Sequence, residues 1–125
     1  DVYLNPVNPF VMNFFGAPNR LTGTVRNGCV PTLFGDLDAS GLQDGADVSI
    51  YFRGQALQIS ENPDALLMTV KDARLLGPVQ RLILETPLVD TYFIMVQSRQ
   101  DALKIGDDVR ISANLNHFQL FPQQL

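Results

Sequence analysis

The sequence predicts an all-β fold: a small antiparallel barrel or sandwich of about eight or nine short strands, preceded by one short helix. Three observations carry that prediction. From Leu21 onward, β-branched, aromatic and other apolar residues gather in short runs at a spacing of roughly ten residues. Turn signals such as Asn27-Gly28, Asp44-Gly45 and Gly77-Pro78 separate those runs. No stretch after Gly16 keeps the apolar period of a helix.

The helix comes first. Asn8-Pro9 reads as an N-cap followed by proline at the first helical position, and Gly16 as the stop after Phe10-Val11-Met12-Asn13-Phe14-Phe15. Phe10, Val11, Phe14 and Phe15 fall at i, i+1, i+4 and i+5 and so share one stripe. Two turns of helix do not hold together alone in water. The stripe must therefore dock, either into its own core or as a docking surface for a neighbouring domain or subunit.

The strands follow in order. Leu21-Thr22-Gly23-Thr24-Val25 is the first, ended by the Asn27-Gly28 turn. Gly28-Cys29-Val30 and Thr32-Leu33-Phe34 are short pieces split by Pro31 and closed by Gly35. Asp44-Gly45 leads into Val48-Ser49-Ile50-Tyr51-Phe52, Gly54 interrupts, and Ala56-Leu57-Gln58-Ile59 resumes up to the Asn62-Pro63-Asp64 turn. Leu66–Val70 and Ala73–Leu76 then run to Gly77-Pro78. Val79–Glu85 alternates loosely and stops at Pro87, and Tyr92-Phe93-Ile94-Met95-Val96 reads as a strand buried on both faces. Lys104–Asp108 is a turn opening Val109–Leu115, and His117–Phe121 closes the set before Pro122.

Composition bounds the function. A chain of 125 residues fits one domain, and 46% hydrophobic against 18% charged residues excludes a disordered tail. The apolar runs are far shorter than the ~18 residues of a membrane span, and no charged-then-apolar leader opens the chain. The net charge of −4 repels phosphate backbones, and the seven arginines are scattered rather than clustered, so nucleic acid is not an expected partner. Cys29 is the single cysteine, which excludes an internal disulfide and a cysteine-based metal site and suits the reducing cytosol.

Catalytic patterns are missing from the sequence. There is no Gly-x-Ser-x-Gly elbow, no Gly-x-Gly-x-x-Gly fingerprint and no phosphate loop ending in Gly-Lys-Ser/Thr. His117 is the single imidazole and reads as structural. Asp107-Asp108 reads as a turn rather than a cation site, and Asp36 and Asp38 as a solvated strand edge. Cys29 has no histidine near it in sequence to activate it. The expectation is a chain that is not itself an enzyme.

The order of these segments resembles the C-terminal regulatory portion of ABC-importer ATP-binding subunits, nearest the sulfate-type branch. Tyr3, Pro6, Phe10, Val11, Phe14, Gly16, Asn19, Leu21 and Gly23 fit the run that leaves the nucleotide-binding domain in that family. Val48 through Ile59 fit a later strand motif with Arg53 in the arginine place, while Gly54 and Gln55 stand where proline and glutamate are usual. Leu76-Gly77 through Leu84 fit a hairpin, and Gly106, Asp107, Val109, Ile111, His117 and Phe118 fit the closing motif.

The resemblance implies a transport-associated, OB-like β-barrel over residues 19–125, with residues 1–18 forming the tail of a preceding nucleotide-binding domain. It implies self-association and regulation of a homodimeric ATPase. It also implies contact with that nucleotide-binding domain, association with the transporter's membrane subunits through the parent protein, and a cytoplasmic place peripheral to the inner membrane. No cofactor is expected in this chain. ATP and Mg²⁺ belong to the preceding ATPase domain in the family. Two other readings stand beside it: an oxyanion sensor with Arg53 as anion contact, and a stand-alone OB-type nucleic-acid binder, which the acidic charge and lack of Trp disfavour.

Overall fold

The computed structural model describes residues 18–123. The expected Phe10–Phe15 helix, with its Phe10, Val11, Phe14 and Phe15 stripe, lies outside the described residues. Ten strands and three short 3-10 turns make up the rest, in two compact units: one formed by residues up to Phe52 together with those from Leu115, the other by Arg53–Asn114.

In the first unit, β1 (Asn19–Thr24), β4 (Asp47–Phe52) and β10 (Gln119–Pro122) form an antiparallel sheet with β4 in the centre, while β2 (Cys29–Thr32) and β3 (Gly35–Asp38) pair separately. Asn27 and Gly28 both take positive φ, 53° and 78°, and Arg26 and Cys29 exchange backbone hydrogen bonds of 2.8 and 3.0 Å across them. That is the two-residue hairpin an Asn-Gly pair favours, because its twist matches the strands on either side. The core collects Val25, Val30, Leu37, Val48, Ile50 and Phe52. The Phe52 and Phe118 rings stack with centroids 4.1 Å apart and planes 5° from parallel, and Phe34 meets both edge-on. The 3-10 turn η3 (Leu115–His117) delivers Phe118 to that cluster.

In the second unit, β5 (Leu57–Ile59), β6 (Leu66–Leu76), β7 (Val79–Glu85), β8 (Phe93–Ser98) and β9 (Asp108–Ala113) form one antiparallel sheet in the order β5-β9-β6-β7-β8. Its inner face carries Leu57, Met68, Val70, Leu82, Leu84, Phe93, Met95 and Ile111, each nearly sealed from water. Leu66–Val70 and Ala73–Leu76, expected as separate pieces, are one strand. A bulge at Lys71 separates the Val70–Leu84 and Asp72–Ile83 pairs, and this extra residue breaks the alternation that a straight strand would show. Phe93 and Met95 are fully buried but Ile94 and Val96 only half so, so the strand expected to be buried on both faces is sealed on one.

The expected closed barrel is corrected: the sheets are open. A barrel would need the two edge strands β5 and β8 to pair. Instead the 3-10 turn η1 (Gly54–Ala56) leads into β5 and lies against β8. At Gly54 an added Cβ would come within 3.0 Å of the Ile94 carbonyl oxygen and the Val96 nitrogen. The turn thus occupies part of the edge that a closing strand would have used.

Candidate functional site

Arg53, the expected anion contact, follows β4 and precedes η1. It is 3% exposed, so its guanidinium is built into the fold rather than offered at the surface. His117 ends η3 and is half-buried. Asp107 accepts the Lys104 amide at 2.8 Å through its carboxylate, and Asp108 accepts the Thr69 hydroxyl. Asp107 therefore closes the Lys104–Asp107 turn and Asp108 ties β9 to β6. Asp38 accepts the Ser40 amide at 3.0 Å, and Cys29 is exposed on β2 opposite Asp38. Among the described residues, no group of three or more metal-ligating side chains comes together, and no helix is long and apolar enough to cross a membrane.

Two surface features stand out. The first is apolar. Leu75 and Leu76, at the end of β6, are 53% and 48% exposed beside the Gly77-Pro78 turn, and Leu67 on the same strand is also exposed. The second is a concavity of about 510 Å³ on the outer face of the β1-β4-β10 sheet.

The strand register builds that concavity. Arg20 on β1 stands across from Tyr51 on the central strand, and Phe121 on β10 stands across from Ser49. Ser49 and Tyr51 are two residues apart and so share a face. The Arg20 Nη2 donates to Ser49 Oγ at 3.0 Å, and the Gln123 amide nitrogen lies 3.5 Å from the same oxygen. Phe121 meets Tyr51 edge-on, with ring centroids 5.7 Å apart. Pro122 and Gln123 complete the lining, which among the described residues contains no carboxylate. None of these residues belonged to the expected site. The signal was weak in sequence: Arg20, Ser49 and Phe121 are distant along the chain, and only the pairing of β4 with both β1 and β10 unites them.

The described residues define a mostly β chain of open sheets. No protein-family model matches the chain. The chain is 31% identical over 126 residues to the sulfate/thiosulfate import ATP-binding protein CysA of Rhodopseudomonas palustris. The match covers 97% of this chain and falls in the C-terminal part of that protein. The chain spans 35% of the length of that curated relative. It is similar to a portion of an import ATP-binding protein.

Proposed function

We propose that this chain is the accessory C-terminal domain of an ABC-importer ATP-binding subunit of the sulfate type, and that it works by self-association, holding and regulating a pair of ATPases. The similarity over 97% of the chain to about a third of an ATP-binding import protein carries the reading. The sequence adds support, since it contains no glycine-rich phosphate loop. In this reading residues 1–18 are the tail of the nucleotide-binding domain and residues 19–125 a transport-associated domain built from open sheets. Phe10, Val11, Phe14 and Phe15 are the candidate docking surface of that tail, for its own domain or a neighbouring one. ATP and Mg²⁺ belong to the parent's ATPase domain. The parent is cytoplasmic and reaches the inner membrane through the transporter's membrane subunits.

The contact between copies is assigned to the exposed end of the β6–β7 hairpin. Leu75 and Leu76 present apolar area there, about half of each side chain being exposed, and burying that remaining half against a second copy contributes roughly 1 kcal/mol each. The test is light scattering on the full-length ATPase, with and without residues 19–125. Dimerisation that weakens on deletion, and also with Leu75→Glu plus Leu76→Glu, supports the reading. Dimerisation unchanged by the deletion sinks it.

A further inference from the structure

We propose that the Arg20–Ser49 concavity on the β1-β4-β10 sheet is a binding site for a small organic anion: a carboxylate, sulfonate or phosphate carried on a planar apolar body. Four observations support it.

The first concerns the donors. Arg20 makes one side-chain hydrogen bond, to Ser49 Oγ, and among the described residues it has no carboxylate partner. Most of a guanidinium's N–H groups are therefore left for another acceptor. Ser49 is 7% exposed, and its oxygen accepts from Arg20 and, at longer range, from Gln123. Its own proton has no acceptor among the described residues. A nearly buried hydroxyl whose lone pairs are engaged by donors is oriented to give its proton away. Arginine and serine thus converge as donors on one point.

The second concerns charge. The whole chain carries −4, yet among the described residues no acidic side chain lines this concavity. Asp47, on the same face of β4, is engaged by the Thr24 hydroxyl and makes no ion pair with Arg20 among the described residues. A guanidinium beside a buried hydroxyl favours an anion through charge-assisted hydrogen bonds, and its fork matches the two oxygens of a carboxylate.

The third is size. The lining is an open surface that spans three strands, from Arg20 on β1 across Ser49 and Tyr51 on β4 to Phe121 on β10. A bare inorganic ion would fill a corner of it.

The fourth is the rest of the lining. Phe121 is 47% exposed and packs edge-on against Tyr51, with Pro122 beside it, so an apolar wall faces the donors. Flat ligand bodies lie well on such surfaces. The site needs no second copy and no ATPase, so it stands or falls apart from the accessory-domain reading.

The experiment is an amide chemical-shift titration of the full chain with three probes: benzoate, its uncharged isostere benzamide, and inorganic sulfate. Benzoate is expected to give saturable shifts centred on Arg20, Ser49, Tyr51 and Phe121 in the millimolar range. Benzamide and sulfate are expected to bind at least about tenfold more weakly, the first for want of charge and the second for want of a body. Arg20→Gln should weaken benzoate about tenfold or more. Phe121→Ala should weaken it roughly threefold to tenfold while shifts remote from the sheet stay in place. The proposal is overturned by any of three results: no saturable benzoate shift, benzamide or sulfate binding as tightly as benzoate, or an Arg20→Gln chain that binds benzoate undiminished.

Discussion

The Gln80 carboxamide binds the backbone of Leu103 at both ends. Its Nε2 donates to the Leu103 carbonyl at 2.7 Å, and its Oε1 accepts the Leu103 amide at 2.9 Å. Gln80 lies on β7, is 3% exposed, and shares Oε1 with the Gln97 side chain, which in turn donates to the Asp101 carbonyl. Gln80 thus fastens the middle of the loop between β8 and β9 to the sheet, beside the backbone bonds that Gly106 and Asp107 make with Val70.

Gln80→Leu keeps the volume and removes the fastening. The two backbone groups of Leu103 lose their partner while Gln97 keeps its bond to the Asp101 carbonyl, and each buried group left unsatisfied costs about 1–3 kcal/mol. Urea unfolding followed by circular dichroism should give a loss of roughly 2–4 kcal/mol. A loss below about 0.5 kcal/mol would mean that water replaces the carboxamide at no cost.

Phe118→Ala should cost about 3 kcal/mol, because it removes a nearly buried ring stacked on Phe52 and leaves a cavity beside Phe34. Phe118→Leu refills most of that volume, so the loss should fall to about 1–1.5 kcal/mol. Equal losses for the two variants would assign the effect to the loop rather than to the aromatic cluster.

Gly54→Ala should destabilise the second unit by roughly 1–3 kcal/mol, since its Cβ meets backbone atoms of β8 at 3.0 Å and backbone yields less readily than a side-chain tip. Gly41→Ala is the control. Nothing lies within 4 Å of its added Cβ, and the change should stay within about 0.5 kcal/mol of neutral. Thermal melts of both variants decide the matter.

Gly28→Val places a β-branched residue at φ 78°, a conformation that such residues rarely adopt. The loss should be about 1–2 kcal/mol or more. Hydrogen exchange should quicken at the Arg26 and Cys29 amides before it quickens in β4.

Much of the β architecture could be read from residue pattern. Val79–Glu85 coincides with β7, and Asn27-Gly28 turns the chain as its composition requires. What escaped was set by tertiary geometry. The Lys71 bulge joins two apparent strands into one, and no local preference marks Lys71 as the residue left over. His117 was grouped with the last strand, yet it ends a 3-10 turn that aims Phe118 inward. Closure of the sheet failed at Gly54, whose role depends on β8, some forty residues away. The Arg20–Ser49 concavity was invisible for the same reason: its donors come from β1 and β4 and its aromatic wall from β4 and β10.

The strand order has a consequence for how the chain is made. Tyr51 pairs with Gln119, so the sheet built on β4 receives its last member only when the segment near the carboxyl end arrives. Residues 53–114, by contrast, already hold every strand of their own sheet. The later-encoded 53–114 unit can therefore fold while the earlier-encoded one still waits for its last strand, which reverses the usual amino-to-carboxyl sequence of events. A chain ending at Asn114 and released from the ribosome should resist protease across residues 53–114 and be cut within β1 and β4.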